Sequence, residues 1–212
     1  MASQFNIHKD VSKAETLPAS FYRDASIFET MKDQIFLKSW QWVGDQSLVK
    51  LPKSFHPFVL LDGYLTEPML LTHDNNGNIN CLTNVCTHRG NILAMSSGKS
   101  NKLTCNYHGR RFKLNGQFES MPEFEKTKDF PRPCDNLHQF PLKKWGPFLF
   151  AGLNPSFDFA KVIDVMDQRV GFLSLDKFSL DNTLSKEYLV HAHWALYCDN
   201  YLSNFSLVYL IS

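Results

Sequence analysis

The chain has 212 residues, 43% apolar and 20% charged, with a formal net charge of +1. That length suits one full domain, or one domain and part of another, and the composition is that of a globular chain rather than a disordered one. The near-neutral charge, with no run of Lys or Arg, excludes nucleic acid and anionic membranes as expected partners. No apolar stretch reaches the ~20 residues that span a bilayer, and the start lacks a secretory pattern, so the expected location is cytoplasmic. Of five cysteines, Cys81, Cys134 and Cys198 show no pairing logic, as in a reducing compartment. No Gly-x-Gly-x-x-Gly follows a strand, so no nicotinamide or flavin site is visible and electrons must come from another protein.

Residues 1–38 read as a polar arm followed by a helix. Asp24 is its expected N-cap, and Ile27, Phe28, Met31, Ile35 and Phe36 recur at helical spacing. From residue 39 to 155 the pattern changes to short strands. Phe58–Leu61 and Met69–Thr72 are bounded by Pro, Asp and Gly, and Asp74-Asn75-Asn76-Gly77 predicts a hairpin turn with positive φ at both Asn76 and Gly77. Ile79–Val85 leads into Cys86-Thr87-His88-Arg89-Gly90, and Lys102–Thr104 leads into Cys105-Asn106-Tyr107-His108-Gly109. Phe112–Phe118 predicts a further hairpin, Met121-Pro122 and Phe130–Pro133 extended loop, and Gly146-Pro147 a turn before a strand.

The two arms carry one thiol and one imidazole each, with the spacing C-x-H-x16-C-x2-H. In a Rieske [2Fe-2S] centre two cysteines hold one iron and two histidines the other, which two facing mixed arms can complete. Gly90 and Gly109 suit sharp turns beside such a group. A tetrahedral zinc site with two Cys and two His is the alternative, but zinc knuckles usually pair like with like, and here the ligand types interleave. The remaining histidines, His8, His56, His73, His138, His191 and His193, have no paired ligand spacing, although His191 and His193 lie two apart in a strand-like run, 187–194.

These arms, and about residues 18–202 around them, resemble the Rieske non-haem iron oxygenase family, specifically its alpha subunit. The respiratory Rieske branch is less similar: where it has two extra cysteines and a serine, this chain has Asn91, Tyr107 and Arg110, so neither a loop disulfide nor a serine hydroxyl at the cluster is expected. Fewer donors to sulfur place the centre near the roughly −150 mV end of the Rieske range. The family usually continues Gly-Trp after the second histidine; Gly109-Arg110-Arg111 here is expected to alter the local surface charge. The resemblance implies a mainly β fold: an antiparallel Rieske barrel over 39–155, an N-terminal helix with the aromatic exit Trp40–Gly44, and an incomplete α+β catalytic domain from 156. It also implies a [2Fe-2S] cluster held by Cys86, His88, Cys105 and His108, an electron donor that is a reductase or ferredoxin, and a homotrimer.

The tail, 156–212, reads as a short helix from Asp158 to Gln168, then strands, then Trp194–Leu202. That last stretch is similar to the helix preceding the family's mononuclear iron, and Asp199–Leu202 to members acting on quaternary ammonium compounds. The family's acidic residue and two iron-binding histidines map onto Ser203, Ser206 and Ile211, so mononuclear iron is expected for the family while its ligands are missing here. The expectation is an alpha subunit truncated or frameshifted near codon 203 that transfers electrons without oxygenase activity of its own; a stand-alone Rieske ferredoxin is the alternative. An oxygenase-like frame downstream in the nucleotide sequence is the expected outcome, and its absence would rule the frameshift out.

Overall fold

The run Met69–Thr72 is buried on both sides, and the fold is built outward from it. In the computed structural model, which describes residue 5 and residues 7–124, 126–181 and 183–202, the elements follow in order. Helices α1 (Ala19–Arg23) and α2 (Ala25–Gln34) precede strands β1 (Gln41–Asp45), β2 (Ser54–Leu60), β3 (Glu67–His73), β4 (Ile79–Thr83) and β5 (Gly98–Lys99). Then come β6 (Lys102–Thr104), β7 (Arg111–Lys113), β8 (Phe118–Ser120), β9 (Gln139–Phe140), β10 (Leu142–Trp145) and β11 (Phe148–Ala151), followed by α3 (Phe159–Val170) and α4 (Trp194–Leu202). The antiparallel β architecture is laid out as three sheets, ordered β5-β2-β3-β4-β9, β1-β11-β10 and β6-β7-β8. The chain divides into two compact units, one from Ile35 to Phe178 and one formed by the flanks up to Gln34 and from Ser179.

Alternation along β3 and β4 explains the continuous apolar run. Leu70 and Leu82, paired in the ladder, face a core completed by Leu93, Leu103, Phe112, Leu114 and Leu137, and by Cys86 and Cys105. Their neighbours Met69, Leu71 and Cys81 face a second core with Val49, Phe140, Leu149 and Ala151. Successive side chains of a strand point to opposite faces, so a strand covered on both faces is apolar at every position. Thr72, fully buried, is tolerated because its hydroxyl donates to the Leu114 carbonyl at 2.5 Å.

The 74–78 turn differs from the two-residue hairpin that the sequence predicts. Gly77 has φ +84°, but Asn76 does not have positive φ. The Asp74 carboxylate organises the turn, accepting from the backbone N–H groups of Asn76 and Asn78 at 2.9 Å each. Gly146 and Pro147 form the tight turn between β10 and β11. Helix α3 starts at the N-cap Asp158, whose carboxylate accepts from the Ala160 N–H at 3.0 Å. It packs back on the sheet through Phe159, whose ring lies tilted against Trp40 and Phe150, and through Asp167, which accepts from the Trp145 indole N–H at 2.7 Å.

In the flanking unit, α2 is capped by Asp24, which accepts from the Ser26 N–H at 2.8 Å. The helix ends at Gln34, short of the expected Ile35 and Phe36. The strands expected before Trp194 are not formed among the described residues of that stretch. Residues 185–190 form no regular element, Tyr188, Leu189 and Val190 are exposed, and no described strand pairs with them to supply a ladder. His191 and His193 do not form a metal pair: His191 is exposed, while His193 packs among Phe21, Tyr22, Phe28 and Trp194 and its Nδ1 accepts from the Ala195 N–H.

Phe112→Ala removes a fully buried ring from the core behind the two cysteines and should cost about 3–5 kcal/mol in urea unfolding, against less than about 0.5 kcal/mol for truncating an exposed residue such as Lys128. Burial opposes ionisation of Asp74, but the amides of Asn78, Asn76 and Asn80 outweigh it and hold the carboxyl below its ordinary range. A lowered folded pKa means that this stabilisation is complete above the ordinary carboxylate range and is lost as pH falls through it. Asp74→Ala should therefore destabilise the protein at neutral pH and flatten the acid limb of its stability profile, as read from urea midpoints across pH.

Candidate metal centre

Both sequence arms are six-residue tips closed by the same pair of backbone bonds. In the first, the Gly90 N–H donates to the Cys86 carbonyl at 3.0 Å and the Cys86 N–H donates to the Asn91 carbonyl at 2.8 Å. In the second, Gly109 donates to Cys105 at 2.9 Å and Cys105 donates to Arg110 at 2.8 Å. Each tip is flanked by an antiparallel pair, Val85 with Ile92 and Thr104 with Arg111. Gly90 and Gly109 both have φ +71°, a conformation costly for any other residue, which is why each arm ends in glycine. The two loops thus present cysteine at the same position and histidine one residue apart.

The loops bring the four sequence-predicted residues together as two pairs. Cys86 and Cys105 are both buried, in the same core as Leu70 and Phe112. The rings of His88 and His108, half-buried above them, lie 4.9 Å apart and nearly edge-on. Among the described residues no three His, Cys, Asp or Glu side chains converge to hold a single metal ion.

The electrostatics favour the metal-binding form at Cys105 and His88 and oppose it at Cys86. Burial opposes ionisation of Cys105, but the backbone N–H groups of Tyr107 and His108, the Cys86 thiol and the Asn91 amide outweigh it and lower the thiol's pKa. The Asn91 Nδ2 lies 3.7 Å from the Cys105 sulfur, reaching across from the opposite arm. Cys86 is pushed up, chiefly by burial, against the opposing pull of the His88 N–H and the Arg110 cation. Burial first, then the neighbouring His108, Arg89 and Arg110 charges, lowers the pKa of His88 and keeps its imidazole neutral, the form that binds metal. The buried Nδ1 of His108 has no hydrogen-bond partner, and a bound iron would satisfy it.

Sequence reasoning missed the residues that hold the loops. Asn84 is buried just before the first arm, and its side chain bonds both the carbonyl and the N–H of Ala94, at 2.8 and 2.9 Å. Asp135, also buried, joins the two arms: its carbonyl accepts from the Thr87 hydroxyl at 2.8 Å, and its carboxylate accepts from the Arg110 guanidinium at 2.7 Å. Arg110 was expected to add surface charge; it is 3% exposed, enclosed by Phe112, Phe118 and Phe130, and only Arg111 faces solvent. An acidic residue twenty-five positions from its partner leaves no local pattern in sequence.

Residues 39–131 match the family described as the Rieske [2Fe-2S] domain. Choline monooxygenase of Atriplex hortensis is 31% identical over 90% of this chain and 44% of its own length. The carnitine monooxygenase oxygenase subunit of Escherichia coli K12 is 29% identical over 71% of this chain and 40% of its own. A quaternary ammonium Rieske monooxygenase, CntA, solved with L-carnitine, superposes with a TM-score of 0.73 over 89% of this chain and 53% of that one; at 24% identity the likeness is of fold. The chain spans about half the length or less of the curated relatives it matches. With a Rieske domain built around two matched Cys/His loops, this chain belongs with the alpha subunits of the Rieske non-haem iron oxygenases, and that domain implies a [2Fe-2S] cluster.

Proposed function

We propose that Cys86 and Cys105 hold one iron of a [2Fe-2S] cluster and His88 and His108 the other, making the chain an electron-transferring Rieske oxygenase component. The carrying observation is the two-plus-two arrangement. Two loops of identical closure put the thiols together in the core and the imidazoles together at the surface, with the His108 Nδ1 unpartnered. A tetrahedral zinc site is the alternative, disfavoured because each arm mixes one Cys with one His where zinc knuckles pair like with like. When bound, the cluster supplies a one-electron carrier.

The protein's residues set where electrons cross. The cysteine side is closed by Leu70, Leu103 and Phe112, whereas the histidine side is half-exposed, with Tyr107 against His108 at 3.8 Å and Phe124 near His88 at 6.2 Å. The face available to an electron partner is therefore the histidine face. We assign the donor to the reductase or ferredoxin class and take a homotrimer as the assembly. The substrate class is that named in the relatives, quaternary ammonium compounds such as choline and carnitine.

The family's mononuclear-iron positions map onto Ser203, Ser206 and Ile211, which lie outside the described residues. None offers an imidazole or carboxylate, so this chain is read as passing electrons on without its own mononuclear iron. A Rieske ferredoxin alone is disfavoured because the likeness to choline monooxygenase runs over nine tenths of this chain, flanks included.

Anaerobic reconstitution should give two irons and two acid-labile sulfides per chain and a paramagnetic resonance signal on reduction. Stoichiometric zinc without sulfide would sink the cluster assignment, and a third, mononuclear iron would sink the reading that the oxygen-activating site is missing. Cys105→Ser and His108→Ala should each lose the visible chromophore, whereas His73→Ala, whose ring bonds the Val49 carbonyl away from the loops, should retain it.

A further inference from the structure

We propose that Arg110 is a redox-tuning residue: a buried guanidinium, held against the Rieske loops by Asp135, that favours the reduced state of the centre. This rests on the cluster reading above and extends it to a residue outside the ligand set.

The placement comes from four observations. Arg110 closes the second loop, its carbonyl accepting from the Cys105 N–H at 2.8 Å, so its backbone is fixed beside a ligand. Its side chain turns inward and is 3% exposed, with the guanidinium carbon 5.0, 5.5 and 5.7 Å from the ring centres of Phe118, Phe130 and Phe112. It lines the same cleft of about 500 Å³ as Thr87 and His88 of the first loop. Its Nε is buried without a partner, so the Asp135 bonds, through one terminal nitrogen, do not use the whole fork.

The charge count leaves a surplus. Asp135 receives Arg110 on one carboxylate oxygen at 2.7 Å and Arg132 on the other, through its backbone N–H at 2.7 Å and its Nε at 3.4 Å. Two cations therefore share one carboxylate, and the cation nearer the loops is the one shielded from water. A buried charge is screened much less than an exposed one, so its field extends over several ångströms. Reduction adds one electron, hence one negative charge, and a fixed cation stabilises that state over the oxidised one.

An electrostatic role and a purely structural one predict different signs. Arg110→Met removes the cation while filling the aromatic-lined space; Asp135→Asn removes the opposing anion and keeps hydrogen-bonding groups; Arg110→Lys keeps the charge. The three reconstituted variants and the wild-type chain are titrated with dithionite against mediator dyes, following visible absorbance. Arg110→Met should lower the reduced-to-oxidised ratio at fixed poise about tenfold, equivalent to about 59 mV for one electron. Asp135→Asn should raise the ratio, and Arg110→Lys should stay close to wild type.

Shifts of the same sign in the Met and Asn variants, or none in either, overturn the inference and leave the cluster reading standing. If Arg110→Met does not fold, the rise expected for Asp135→Asn decides alone, and a fall or no change there overturns it. A wild-type chain that takes up zinc and no sulfide overturns both this inference and the reading beneath it.

Discussion

A single buried residue, Asp135, fastens together the two loops on which this protein depends. Asp135 takes the Thr87 hydroxyl of one loop on its carbonyl and the Arg110 guanidinium of the other on its side chain. Each loop is locally closed by its own glycine and backbone bonds, so local structure determines the shape of each tip. Nothing local determines their distance from each other. That is set by Asp135, by the Asn91 amide reaching the opposite cysteine, and by the core into which both thiols are packed. Removing one partner from a buried ion pair typically costs about 3–5 kcal/mol, because the other charge is left desolvated and alone. The arrangement is therefore expensive to disturb from either side.

The division between thiol and imidazole follows from the same geometry. Cysteine occupies the first position of each six-residue tip, where the chain has just left a strand whose neighbours are in the core. Histidine comes two residues later in one tip and three in the other, where the loop has turned outward. Burial accordingly shields the sulfurs and leaves the imidazole edges half-exposed. The loops thus have a closed apolar wall on the cysteine side and an accessible face on the histidine side.

The supporting sheet is doubly buried, which gives the loops a rigid base. β3 and β4 send Leu70 and Leu82 beneath the cysteines and Met69, Leu71 and Cys81 into the opposite core. The Cys81 thiol, at the centre of that second core, is pushed up to about 12 by burial and takes the role of a small apolar side chain. Of the three cysteines outside the two loops, Cys134 and Cys198 are exposed, and all three are free.

The sequence by itself determined the two Cys/His arms, their spacing and the glycines that end them, because positive φ restricts the residue that can close each turn. It also determined most strands, the helix capped by Asp24 and the helix expected from Asp158 to Gln168, which runs Phe159–Val170, since alternation, helical spacing and capping are local signals. It misjudged the stretch 187–194, where strand-like alternation found no partner strand, and the turn at Asn76, where the Asp74 side chain substitutes for a tight hairpin. Only the tertiary structure decided that Arg110 lies inside rather than outside, and that Asp135 and Asn84 hold the loops. A buried ion pair between residues twenty-five apart is made by long-range packing, and no periodicity or motif along the chain records it.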